Sequence, residues 1–140
     1  MIMMKLEEFC WELKPVNKEK KQVEASYWWS SANGIKIRIQ GNESGADEEY
    51  LETARIVFEN WDKYHKWGMN HLNSMLKRDC KYYCHSVCFQ EYSYGMDSTR
   101  EGGFEMMFWE EEPNDDRYVN YVVQFSKNSG CDIGLRIFSE

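Results

Sequence analysis

Cysteine and histidine come closest together at Cys80-x3-Cys84-x3-Cys88, with His85 inside the run. Thiolate and imidazole are the usual zinc ligands, and thiolates hold iron–sulfur clusters. The spacing opposes both. Val87, Phe89 and the aromatics around them predict a strand. Residues four apart on a strand share a face but stand about 13 Å from each other. A zinc–sulfur bond is ~2.3 Å, so one ion cannot join them. No Cys-x-x-Cys occurs. The expectation is no metal site, no cofactor and no catalytic residue. Cys84, Cys88 and His85 are the least poor candidates for a metal- or thiol-dependent enzyme. Cys131 follows Gly130 in a predicted turn, with no histidine or cation beside it in sequence.

The remaining histidines do not converge. His65 falls on the apolar stripe of a predicted helix, where a hydrogen-bonded core residue is the plainer reading. His65 and His71 are six apart and share no ligand face. His-Glu-x-x-His, Gly-x-Ser-x-Gly and a phosphate-binding glycine loop are all missing.

Carboxylates offer more. Glu110, Glu111, Glu112, Asp115 and Asp116 place five acids within seven residues. The run lacks the alternating ligands and glycine of a calcium loop. It predicts a solvated hairpin tip that discourages edge pairing, or a contact for a basic protein surface. Trp109 precedes it, and a part-exposed tryptophan is a typical interface anchor. Trp109, Glu110, Glu111, Glu112, Asp115 and Asp116 are therefore the expected partner-binding residues.

The elements that must position these groups follow from periodicity. Residues 47–79 carry one unbroken helical pattern. Leu51, Ala54, Phe58, Trp61, His65, Gly68, Leu72 and Met75 recur in steps of three and four. Asp47 is the expected N-cap, with Ser44 the alternative, and Glu48 and Glu49 stand at the positive end of the dipole and Lys77 and Arg78 at the negative end. Such a helix would run roughly 45–50 Å, longer than any strand beneath it. Gly68 is the expected bend, or else a point of close contact with the sheet.

Strand patterns flank the helix. One is expected at about 8–14, a second at 22–30, and a third through Ile35, Ile37 and Ile39. Asn33-Gly34 between the last two predicts a type I′ hairpin. Trp28 and Trp29 must point to opposite faces. After the helix, alternation runs through Tyr83–Phe89, Phe104–Trp109, Val119–Phe125 and Ile133–Ile137. The expected fold is a single α+β domain over 1–140. Its antiparallel sheet of about six to seven strands, in the chain order β-β-β-α-β-β-β-β, is covered on one face by one long helix. The other sheet face is left to water or a partner.

Charge sorts the function classes. The net charge is −7. Residues 1–79 hold 13 acids and 12 bases, while residues 80–140 hold 11 and 5. That imbalance argues against binding nucleic acid or an anionic membrane through the C-terminal half, and suits a basic partner. Five cysteines without a secretory h-region predict reduced thiols in the cytoplasm. No stretch approaches a membrane span.

An N-terminal meander, one long helix and a C-terminal meander in a short acidic chain resemble the small bacterial immunity proteins of polymorphic and contact-dependent toxin systems. Gly103-Phe104-Glu105-Met106-Met107-Phe108-Trp109-Glu110 and Cys131-Asp132-Ile133-Gly134-Leu135-Arg136-Ile137 share the texture of those domains. The resemblance implies a non-enzymatic cytoplasmic inhibitor that neutralises a basic toxin domain. The alternative is a structural domain that self-associates as a homodimer through its open sheet face.

Overall fold

The computed structural model describes residues 6–15, 26–90, 103–111, 119–125 and 132–139. Leu6–Glu8 form a 3-10 turn where the start of a strand is expected, and Trp11 Nε1 donates back to the Leu6 carbonyl at 3.0 Å. The strand itself, β1, is confined to Glu12–Pro15. Then come β2 (Ser26–Ala32), β3 (Ile35–Asn42) and the two-residue β4 (Gly45–Ala46). Asn33 and Gly34 have φ of 54° and 78°, the pair of positive values that a type I′ turn demands. Two helices follow, α1 (Glu48–Glu59) and α2 (Trp61–Leu76). The chain then enters β5 (Tyr82–Phe89), β6 (Phe104–Glu110), β7 (Val119–Phe125) and β8 (Asp132–Ser139).

The sheet order is β1-β2-β3-β5-β6-β7-β8, with β4 pairing β3 off that path. Both meanders are antiparallel, as their short connections require. The expectation of a wholly antiparallel sheet needs one correction: β3 and β5 run parallel. The short β4 turns back along the end of β3 before the helices, and the helical crossover then returns the chain so that β5 enters beside β3 in the same direction.

The single long helix is also corrected. The ladder breaks at Asn60, not at Gly68. The Asn60 N–H reaches the Ile56 and Val57 carbonyls at 3.2 and 3.1 Å, and its side-chain Nδ2 donates to Ile56 O at 2.9 Å. Its own carbonyl accepts from Lys63 and Tyr64 N–H at 3.1 and 3.3 Å, starting the next helix. A short amide that bonds the backbone locally competes with helix propagation in this way. Asp47 stands at the N-cap of α1, but its carboxylate accepts from Gln40 Nε2 at 3.1 Å and not from a helix N–H. At the other end Lys77 turns left-handed, with φ of 52°, and Arg78 N–H bonds Asn73 O at 3.0 Å.

Gly68 serves close approach. It is buried under α2, and a Cβ there would meet Phe108 Cζ at 2.7 Å. Under the helices lies an aromatic core. Phe104 stacks on Phe125 at 4.6 Å and on Phe89 at 5.5 Å, and Tyr64 closes edge-on over Phe104 at 5.5 Å. Ile37, Ile39, Val87, Met106 and Val123 complete the same face. The second sheet face is not uniformly open. Ser86, Cys88, Glu105, Asn120 and Val122 are buried there, although both helices lie on the other side. No helix among the described residues is long and apolar enough to cross a membrane.

Candidate functional site

The cysteines separate. Cys84 pairs in register with Phe108 and faces the core, while Cys88 pairs with Glu105 and faces away. A β-bulge at His85 causes this, because one extra residue inverts the alternation beyond it. The expectation that both thiols share a face is thus corrected. Burial pushes the Cys84 thiol well above its ordinary pKa, and Cys84 Sγ donates to Ser86 O at 3.1 Å. A buried protonated thiol is a poor nucleophile and a poor ligand. Among the described residues, no three His, Cys, Asp or Glu side chains group as metal ligands.

The bulge sends His85 to the outer face, where it stacks on Trp109 with ring centroids 4.1 Å apart. Trp109 Nε1, which can only donate, gives its proton to Asn120 Oδ1 at 2.9 Å. His85 Nε2 meets the same oxygen at 2.8 Å and must donate too. His85 Nδ1 then accepts the Ser86 hydroxyl at 3.0 Å. The hydroxyl–imidazole–amide chain has the outline of a nucleophile relay. Ser86 is buried, however, and a neutral amide replaces the carboxylate that would stabilise an imidazolium. The chain instead pins the bulge and fixes Trp109.

The predicted partner-binding residues therefore have different fates. Trp109 is half-buried inside this cluster, with Tyr83 edge-on at 5.7 Å. Glu110 is neutralised. Its carboxylate forms an ion pair with Arg78 and accepts from Tyr121 O–H at 2.9 Å, with the Glu110 side chain 11% exposed. Arg78 also donates to Tyr82 O–H at 3.0 Å and lies over the Tyr121 ring. That group clamps the end of α2 to the ends of β5, β6 and β7. Glu111 is exposed, with its backbone N–H on Lys81 O at 2.9 Å. Glu112, Asp115 and Asp116 lie outside the described residues.

A different set of carboxylates surrounds a groove. Along the flank of α1 it measures about 420 Å³, with Glu48, Glu49 and Glu52 at its rim. Val57, Tyr64 and Phe104 form its apolar floor. Ile56, 45% exposed, stands at its edge. Glu48, Glu52 and Ile56 are each four apart and so line one face of the helix. Glu52 is shared with Arg55 at 3.3 Å. Comparison with family models, with curated proteins and with solved structures finds no match. The geometry has to speak alone.

Sequence reasoning counted Glu48 and Glu49 as complements of the helix dipole. A trace of the groove was nevertheless present: an isoleucine outside the apolar stripe, one turn beyond Glu52.

A second cleft, about 310 Å³, lies between the 3-10 turn and α1. Trp11, Trp28, Ile39 and Leu51 line it, and Arg55 stands at its rim. Trp28 therefore faces the helix side and Trp29 the other, as adjacent strand residues must.

Proposed function

We propose that this chain is a non-enzymatic binding protein that takes a basic surface of a protein partner, acting as an immunity or inhibitor protein against a basic toxin domain. The observation that carries this reading is the α1 groove. Carboxylates over an aromatic and aliphatic floor suit a lysine or arginine side chain, whose stem is apolar and whose head is charged. Such a contact buries the stem against Tyr64 and Phe104 and leaves the head on Glu48, Glu49 or Glu52. The net charge of −7 adds long-range attraction for a basic partner and speeds encounter.

The reading places the contact on α1 and no longer on Glu110, whose charge is already matched by Arg78. Glu111 remains a candidate for the rim. The cytoplasm is the compartment proposed, where the thiols of Cys10, Cys80, Cys84 and Cys88, which form no disulfide with one another, stay reduced.

The test is calorimetry against a purified basic toxin domain. Binding should weaken at least tenfold between 50 and 300 mM salt, and at least tenfold again in Glu48→Lys/Glu52→Lys. Association that ignores both salt and the double reversal would sink the proposal.

A further inference from the structure

On the side turned away from the helices, β1, β2 and β3 carry a surface of the opposite sign. Lys14, Lys36 and Arg38 share it with Tyr27, Trp29 and one acid, Glu12. Lys14 and Lys36 are exposed, and Arg38 and the two rings are half-buried. The register explains how they meet. Lys14 pairs with Tyr27 and lies diagonally over Trp29, its Nζ 4.0 Å from the ring centroid. Arg38 pairs with Trp29 and lies diagonally over Tyr27 at 5.4 Å. Trp29 Nε1 donates to Glu12 at 3.0 Å, which fixes the ring under Lys14. Among the described residues the further acids of this face are Asp47, half-buried with its carboxylate held by Gln40 Nε2 at 3.1 Å, and Glu105, two strands beyond Arg38 and 2% exposed. Among the described residues, three cations against one exposed carboxylate stand out on a chain of net charge −7.

We propose that this face binds an extended acidic segment of a protein. Lys36 and Arg38 are two residues apart on one strand, about 7 Å. That is also the repeat of alternate side chains in any extended chain, so carboxylates at alternate positions can meet both cations at once. Lys14, two strands across, takes a third. The rings beneath Lys14 and Arg38 hold those cations in place before the partner arrives, which lowers the ordering cost of binding.

A single-stranded nucleic acid is the competing anion, and the rings decide against it. Base stacking needs open aromatic faces, and the outer faces of Trp29 and Tyr27 are already covered by cations. This surface is independent of the α1 groove, and neither reading needs the other.

The experiment is fluorescence anisotropy at 50 mM salt with a fluorescein-labelled octapeptide of alternating aspartate and serine, beside a labelled decathymidylate. The peptide should bind more tightly than the oligonucleotide. Lys36→Glu/Arg38→Glu and the neutral Lys36→Gln/Arg38→Gln should each weaken it at least tenfold. Lys66→Glu/Lys81→Glu, which reverses exposed cations elsewhere, should change it less than twofold. Far-UV circular dichroism checks that each variant is folded. The proposal is overturned if the peptide does not bind, if the folded double variants bind it as the wild type does, or if decathymidylate binds more tightly.

Discussion

Replacing Gly68 with alanine sets two physical effects against each other, and the structure decides the sign. Helix propensity alone favours the change, because glycine in a helix interior is worse than alanine by about 1 kcal/mol. Packing opposes it. The new Cβ would stand 2.7 Å from Phe108 Cζ and 2.9 Å from Cε2, with Phe125 Cζ at 3.7 Å. Phe108 is fully buried, held by His65 at 5.5 Å and Tyr82 at 6.4 Å between ring centroids. It has no solvent side to swing toward, so α2 must lift or the ring must leave its rotamer. Overpacking of this kind costs roughly 1–3 kcal/mol, and a clash with a confined ring belongs near the top of that range. The net expectation is a loss of about 1–2 kcal/mol. Urea unfolding would read it as a lower midpoint at unchanged slope. A double variant with Phe108→Leu should lose less than the sum of the two single changes, because the cramped ring is gone. A gain of stability in Gly68→Ala would refute the reasoning, showing that α2 has room to spare and that propensity wins.

Two further outcomes follow from the buried polar groups. Glu110→Ala should destabilise the fold by roughly 1.5–3 kcal/mol in the same urea assay, as expected when the partner of a largely buried charge and its hydrogen bond are lost. A change within ~0.5 kcal/mol, the range of ordinary surface substitutions, would mean that the Arg78 clamp does not hold the helix end. Burial lowers the pKa of His65 below its ordinary 6.5, with Asp62 and Glu111 acting the other way. The unfolded chain therefore takes up the proton first as pH falls. Its contribution to stability is complete above about pH 6.5 and is lost as pH drops from there toward the lowered folded value. His65→Gln should flatten that part of the stability–pH curve relative to wild type, and parallel curves for the two proteins would dismiss the effect.

Much of this was legible because local patterns and tertiary packing agree. Asn33-Gly34 predicts its hairpin without help, since its backbone angles are a property of those two residues. The stripe from Leu51 to Leu72 predicts its buried face for the same reason, and fails at its last member, Met75, which is exposed in the last turn of the helix. The failures share a cause as well. Asn60 reads as an ordinary solvent-side residue, and nothing in helical periodicity signals that its amide will turn back onto Ile56. The bulge at His85 is equally silent, because Tyr83, His85, Val87 and Phe89 seem to alternate straight through it. One unpaired residue then sends Cys84 and Cys88 to opposite faces. Glu110 was misjudged by composition. A run of acids looks solvated as a whole, yet strand alternation sends Glu110 inward, where Arg78 from the far end of α2 finds it. The α1 groove was missed for a further reason: its floor comes from three elements, and only their packing brings Val57, Tyr64 and Phe104 together.

The break at Asn60 links the fold to the groove. A straight helix of 12 and 16 residues in tandem would run about 42 Å over a twisted sheet and would lose contact at one end. With the break, α1 lies over β3 and β5 while α2 lies over β7 and β8. Each half follows the strands beneath it. Val57 and Tyr64 stand three residues before and four residues after Asn60, on the side facing the sheet. Phe104, at the start of β6 and almost wholly buried, closes the floor between them. The Glu48–Glu52–Ile56 face overlooks that floor. The residue that fits the helices to the sheet is thus also the one beside which the acidic rim meets its apolar floor.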